Sequence, residues 1–360
     1  MKKIFILFAL FTTLLVGCKK EEKLPAGTQA EKQVFHWKMV TAWPKNFPAL
    51  GTSAEQFAKS VNDMSSGRLQ IKVYGAGELV PALQVFDAVA QGTAEMGHAS
   101  PYYWKGKIPA AQFFTTTPFG MTALEMNSWM QYGGGQELLN ELYAPFNLMM
   151  LPAGNSGMQM AGWFNKEINS VDDLKGLKMR IPGLGGEVLS RAGGAPVMLP
   201  GGEIFTALQT GTIDATEWVG PYNDLAFGLQ KAAKYYYYPG WHEPGSLIEL
   251  MINKDAFAKL PADLQSIVRV AAQAANQQML VDMTAHNMEA LKKLKKEAGV
   301  EPRPLPAEVL AHLKTLSNQV LKDVAEQDPS AKKVYESLQK YSEDMKAYQA
   351  VSEQAFLNAR

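Results

Sequence analysis

Two segments 119 residues apart read as copies of one unit, and this repeat constrains the fold more than any other feature of the chain. "PALQVFDAVAQGTAEMGHASPYY" starts at Pro81 and "PGGEIFTALQTGTIDATEWVGPY" at Pro200. Pro81, Phe86, Ala88, Gly92 and Thr93 fall on Pro200, Phe205, Ala207, Gly211 and Thr212, with Glu95 opposite Asp214 and Tyr103 opposite Tyr222. Each copy predicts a short helix ended by a glycine, then a short strand, then a loop carrying aromatics. The repeat implies two α/β lobes with equivalent units, whose strands deliver their ends to one interface.

The rest of the pattern agrees. "VFHWKMVT" from Val34 reads as an opening strand, "FPALGTSAEQFAKSVNDMSSG" as a helix stopped at Gly67, and "RLQIKVYG" as a second strand with alternating apolar residues. "FNLMMLPAG" and "MQMAGWFN" are short apolar runs, and "SVDDLKG" is a loop or short helix before "LKMRIPG". Strands alternating with helices predict mostly parallel pairing and a doubly wound sheet in each lobe. From Pro261 the chain turns helical, with a break at "GVEPRPLP". The last helix spaces Val334, Leu338, Tyr341, Met345 and Tyr348 by four, three, four and three, a stripe of two heptads. Such a stripe serves packing on its own body or a homodimer contact, and both stay open.

The N-terminus reads as an export signal. Two lysines precede an apolar run from Ile4 to Val16, about half the roughly 20 residues a spanning helix needs. "LVGC" matches a bacterial lipobox, which predicts cleavage after residue 17 and a diacylglycerol anchor on Cys18. Residues 18–33 then read as a charged, turn-rich tether. The body is expected to be soluble, extracytoplasmic or periplasmic, and held at the membrane through Cys18. Because Cys18 is the only cysteine, one copy can form neither a disulfide nor a thiolate metal site.

Familiar catalytic and nucleotide-binding signals are absent. There is no GxxxxGK[ST] loop, and "GLGGEV" from Gly183 lacks the last glycine of a dinucleotide loop. "GNSGM" is not GxSxG, and the histidines at 36, 98, 242, 286 and 312 include no pair at helical metal spacing. Lysine plus arginine and aspartate plus glutamate both number 35, and removal of Lys2 and Lys3 with the leader leaves 33 against 35. That near-neutral balance gives no electrostatic case for nucleic acid.

Polar residues instead gather at the edges of apolar runs: Asn155 and Gln159 in "GNSGMQM", Arg180 in "LKMRIPG", Glu217 beside Trp218 in "GTIDATEWVGPYND", and Glu243 in "WHEPG". Each alone reads as a satisfied hydrogen-bonding residue at a strand end. Together they cluster where open α/β sheets collect ligands, beyond the carboxyl ends of strands.

On "GNSGMQMAGWF", "LKGLKMRIPG", "GTIDATEWVGPYND" and "WHEPG", in that order, the chain resembles the substrate-binding subunit of TRAP transporters, the tripartite ATP-independent periplasmic class. The likeness runs from Val34 to the end and is greatest to the branch that binds 2-oxo acids or lactate. It implies a two-lobed periplasmic solute-binding fold with a hinge and a largely helical C-terminal part. The expected division is 34–155 with 245–290 as lobe I, 156–244 with 291–328 as lobe II, and 329–360 as a C-terminal helix. It also implies that Arg180 holds the carboxylate of a small monocarboxylate through a planar fork, for which lysine is no substitute. Asn155 would donate to the same ligand, and Gln159, Glu217 and the carbonyl of Trp218 would hold a cation. Tyr102 or Tyr103 would add a hydroxyl to the carboxylate. Glu243 would bind the metal or an outer residue, while Trp43 and Phe47 belong to the pocket wall or the core.

Charge counting on this assignment asks for the cation as well. Arg180 and a monocarboxylate cancel, leaving Glu217 as an unpaired buried anion unless a hard ion such as sodium or calcium bridges it to the ligand. The expected partners are integral-membrane permease subunits. The rival readings are a metal-dependent lyase or hydrolase with Glu217 or Glu243 as base, and a ligand-loaded partner of a sensor receptor.

Overall fold

A computed structural model describes residues 33–360 of the chain, so the leader, Cys18 and nearly all of the tether lie outside the described residues. The chain lays down β1 (Phe35–Thr41), β2 (Leu69–Tyr74), β3 (Met96–Ala99) and β4 (Leu148–Asn155) in one sheet. It then crosses to a second sheet for β5 (Gly162–Phe164), β6 (Lys178–Arg180), β7 (Ala195–Val197), β8 (Ala215–Thr216) and β9 (Tyr235–Tyr238). It returns to the first for β10 (Leu247–Asn253) and ends in the second with β11 (Pro302–Pro304). The first sheet is ordered β2-β1-β3-β10-β4 and the second, read from its far edge, β7-β6-β8-β5-β9-β11. Apart from β11 the two orders are equivalent, so the two-lobed α/β expectation holds.

The repeat is the reason. A 3-10 turn over Ala82–Gln84 runs into the helix Val85–Ala90 and then β3, and 119 residues later Gly201–Glu203 runs into Ile204–Gln209 and then β8. Gly92 and Gly211 end the two helices at φ 75° and 74°, in the left-handed region where a side chain is disfavoured. The aligned acids do the same work. Glu95 accepts the Lys38 amide of β1 at 2.7 Å, and Asp214 accepts the Lys178 amide of β6 at 3.1 Å. Each copy therefore pins its strand to the neighbouring parallel one, and Arg180 occupies in the second lobe the place of Val40 in the first.

Pairing is mixed rather than mostly parallel. β1 runs parallel to β2 and β3, and β6 to β7 and β8. Between β3 and β4 lies the antiparallel β10, however, and between β8 and β9 the antiparallel β5. Each of these strands enters its sheet from the other one, so its direction is set by the crossing and not by a right-handed βαβ step.

The helix Ala262–Glu297 packs on β4, on the helix Leu50–Met64 of the first lobe and on the helix Pro221–Phe227 of the second. The predicted break after it holds β11, paired with β9, before the helix Ala307–Glu326. In the last long helix, Pro329–Gln349, the stripe divides. Val334 and Leu338 are buried, Tyr341 meets the Ser128 hydroxyl, and Tyr348 is exposed. No helix among the described residues is long and apolar enough to cross a membrane.

One buried acid belongs to the frame. Glu249, at a bulge in β10, is fully buried and accepts the Trp104 indole N–H at 2.5 Å, behind the turn that carries Tyr102 and Tyr103. Burial pushes its carboxyl up to about 8. Below the ordinary glutamate value, folded and unfolded chains both hold the proton. Between that value and about 8 only the folded chain does, so stability falls as pH rises. Glu249→Gln is neutral throughout and lacks this loss. Urea unfolding should show the parent chain losing on the order of 2 kcal/mol more than the variant between pH 6 and pH 8. Equal pH slopes in the two proteins would show that Glu249 ionises normally.

Candidate functional site

The two segments that cross between the sheets, 156–161 and 239–246, run side by side. Ser156 N–H donates to the Ser246 carbonyl at 3.0 Å, Gly240 N–H to the Gln159 carbonyl at 3.1 Å, and Gln159 N–H to the Glu243 carbonyl at 3.3 Å. This ladder places Gln159, His242 and Glu243 on the hinge between the lobes. Asn155 arrives at the end of β4, Arg180 at the end of β6 and Glu217 just past β8. Asn155, Gln159, Arg180, Glu217, His242 and Glu243 are each at most 3% exposed, so a solute reaches them only if the lobes part.

At the centre Arg180 and Glu217 form an ion pair through Nη1 and Oε1. The guanidinium also donates from Nε to the Leu199 carbonyl at 3.2 Å and from Nη1 to the Glu217 carbonyl at 3.3 Å, and it lies 5.2 Å over the Trp218 ring. With Nε and Nη1 engaged, Nη2 is the nitrogen left for a ligand. The two-pronged contact expected from the guanidinium's shape is reduced to one nitrogen in this arrangement, because Glu217 takes the other.

Gln159 donates from Nε2 to Glu243 Oε2 at 2.8 Å and to the Ser156 hydroxyl at 3.1 Å. Burial, and then the charge of Glu217, push the Glu243 carboxyl well above the usual range, which keeps it neutral. Asn155 accepts the Gly157 amide at 2.9 Å with Oδ1, which turns Nδ2 toward the interior.

Besides the ring nitrogens of His242, the unpaired atoms of these residues are donors and acceptors. Arg180 Nη2, Asn155 Nδ2 and Trp218 Nε1 are buried donors without a partner, and Glu217 Oε2 and Gln159 Oε1 are buried acceptors without one. Buried polar atoms are normally satisfied, and each exception costs on the order of 1–3 kcal/mol. Unpaired donors suit a carboxylate, and unpaired oxygens suit a hard cation.

Aromatic rings close the site. Both Tyr102 and Tyr103 lie within the electrostatic reach of Arg180, Glu217 and Glu243, and burial raises both hydroxyls. The two rings meet edge-on at 4.8 Å between centroids. Phe47, from the first lobe, meets Trp218 of the second edge-on at 6.2 Å and Phe227 at 4.3 Å. Trp43 stands behind Tyr103 and donates its indole N–H at 2.8 Å to His98, which burial keeps neutral, with its value lowered to about 4. The Trp218 ring fits because a side chain at Gly201 would place its Cβ 2.4 Å from the indole.

Two residues of the site were not singled out from the sequence. Asp224 accepts from the Tyr236 hydroxyl at 2.7 Å, Trp163 Nε1 at 3.0 Å and the Val219 amide at 3.3 Å, and so fixes the loop after Trp218. Its carboxyl is raised to about 7 by burial. His242 sits 3.5 Å from Glu217 Oε2, with both ring nitrogens unpartnered. Pairs at helical spacing could not reveal it, although its place beside Glu243 in "WHEPG" could have.

Comparison with known proteins places the chain in a family. The profile of the bacterial extracellular solute-binding protein family 7, DctP, matches residues 39–328. A monocarboxylate 2-oxoacid-binding periplasmic protein of Nostoc sp. is 46% identical over 349 residues, spanning 96% of this chain and 94% of the relative. A TRAP periplasmic solute-binding protein from Pseudoalteromonas atlantica, solved with bound sodium and pyruvate, superposes with a TM-score of 0.89 at 43% identity, covering 91% of this chain and 100% of that one. Another from Colwellia psychrerythraea, solved with bound calcium and pyruvate, gives 0.89 at 44% identity, with the same 91% and 100% coverage.

Proposed function

Because the chain belongs to the DctP family of bacterial extracellular solute-binding proteins, family 7, we propose that it captures a small 2-oxo or 2-hydroxy monocarboxylate, such as pyruvate or lactate, together with a metal cation, and delivers it to the membrane subunits of a TRAP-type secondary permease. The observation that carries this reading is the division of unpartnered buried atoms into donors from Arg180, Asn155 and Trp218 and acceptors from Glu217 and Gln159. The similar proteins solved with pyruvate beside sodium or calcium support it.

The charges supply the reason for a cation. Arg180 and Glu217 cancel and Glu243 is neutral, so an incoming carboxylate adds a negative charge to a site closed to water. Burying it unpaired costs several kcal/mol. Glu217 Oε2, Gln159 Oε1 and the Trp218 carbonyl would hold a cation, which would offset that charge and give the ligand's oxygens a second point of attachment. Tyr102 or Tyr103 donates a hydroxyl, and Phe47 and Trp218 wall the site around a small ligand. Micromolar affinity corresponds to about 8 kcal/mol, which these contacts together supply.

The site is unsuited to catalysis by a carboxylate base. Glu217 is ion-paired with Arg180, and Glu243 is held in its neutral form. A binder returns its ligand unchanged. Export and a diacylglycerol on Cys18 would keep the receptor beside its permease, and a Cys18→Ser chain should then leave the membrane fraction.

Calorimetry with pyruvate on the full chain tests the central reading, before and after chelation and with sodium or calcium restored. Binding should disappear with the cation and return with it. Absence of pyruvate binding in every condition would remove the proposal.

A further inference from the structure

We infer that His242 is an additional ligand of the cation, and that it gives this site an affinity for borderline divalent metals such as cobalt, nickel or zinc that an all-oxygen site lacks. The inference rests on the proposed cation site and adds a nitrogen donor to it. His242 is 1% exposed, yet neither Nδ1 nor Nε2 has a hydrogen-bond partner. A neutral imidazole always has one nitrogen free to accept or to bind a metal. Leaving both unpaired in a dry interior is costly unless a ligand takes one.

The spacing fits a shared ion better than a direct contact. Nε2 lies 3.5 Å from Glu217 Oε2, beyond good hydrogen-bond length. Two donors about 2.1 Å from one metal at tetrahedral angles stand about 3.4 Å apart. Glu243 extends the group, since Glu217, His242 and Glu243 each offer a ligand atom and these atoms all lie within 4.8 Å of one another. Gln159 Oε1 is a further oxygen on the same hinge ladder. Sodium and calcium prefer oxygens and gain little from an imidazole, whereas cobalt, nickel and zinc bind it well. The Glu217 carboxylate, a carboxyl oxygen of Glu243, an amide oxygen and an imidazole thus form a set that accepts a hard ion through its oxygens and a borderline ion through the ring as well.

The test uses the metal alone. The purified full chain, stripped with chelator, is titrated with cobalt(II) and followed by visible absorption and by proton NMR for a paramagnetically shifted, exchangeable imidazole N–H. Calcium affinity is measured in parallel. We expect cobalt to bind more tightly than calcium and to produce the shifted ring proton. His242→Gln should lose that signal and at least about 100-fold of the cobalt affinity, while calcium affinity falls far less. Cobalt affinity within threefold of the parent in the variant, or no shifted imidazole signal in the parent, overturns the inference; the second criterion does not depend on the variant folding. A variant that weakens pyruvate binding at saturating calcium but leaves cobalt binding intact would make His242 a hydrogen-bond donor to the ligand, which also overturns it. If cobalt fails while calcium and pyruvate bind together, only this inference falls. If calcium and pyruvate do not bind together, the proposed function itself fails.

Discussion

Replacing Arg180 with lysine is expected to weaken pyruvate binding by on the order of 100-fold, and replacing it with alanine to abolish measurable binding and destabilise the fold. Lysine keeps the charge but not the geometry. The guanidinium holds the Leu199 carbonyl with Nε and Glu217 with Nη1, and leaves Nη2 for a ligand, with its carbon 5.2 Å from the centre of the Trp218 ring. An ammonium at the end of a flexible stem cannot meet these three directions at once. Losing one or two charge-assisted hydrogen bonds costs about 3 kcal/mol, which corresponds to the stated factor. Alanine does more, because Glu217 is then a buried carboxylate with no cation beside it; breaking such a pair costs about 3–5 kcal/mol. Calorimetry reads the first effect and urea unfolding the second. Pyruvate affinity within threefold of the parent in the lysine variant would take Arg180 out of ligand recognition.

Much of this site could be read from the sequence because it lies at positions that local rules govern. Gly92 and Gly211 end helices for a reason visible in one residue, and the aligned Glu95 and Asp214 keep the same backbone contact in both lobes. Strand ends follow from where apolar runs stop, so the sequence alone gathers Arg180, Glu217 and Asn155 at strand ends. What local rules do not carry is pairing across the hinge. β5 and β10 insert antiparallel into sheets whose other central strands are laid down tens of residues away. The three prolines in "GVEPRPLP" argue for a plain break, yet β11 forms there, at the edge of its sheet, where a missing N–H is tolerated. The direct pairing of Arg180 with Glu217 was hidden for a similar reason. Sequence gave each residue a place at the interface, but only the fold sets which nitrogen faces which oxygen. His242 stayed unseen because the carboxylate it faces, Glu217, comes from the loop after β8, far from it in the chain.

Glu217→Gln provides the sharpest test of the charge argument, because it predicts a change in kind as well as in affinity. In the parent, Arg180 is already neutralised by Glu217, so the ligand's negative charge needs a cation to accompany it. Glutamine preserves the shape and one carbonyl oxygen but carries no charge. Arg180 is then free to balance the ligand carboxylate directly, and the cation loses its strongest ligand. Cation affinity is expected to fall by two orders of magnitude or more, about 3 kcal/mol, as for loss of one partner of a buried charge pair. Pyruvate should still bind, more weakly than to the cation-loaded parent, because the metal bridge to its oxygens is gone. That residual binding should no longer respond to chelator, sodium or calcium. Bound metal measured after dialysis, alongside calorimetry with and without chelator, separates the two quantities. If the variant retains the parent's metal content, or if its pyruvate binding still requires the cation, then Glu217 is not the group that holds the ion, and the neutralisation of the ligand must be sought in Glu243.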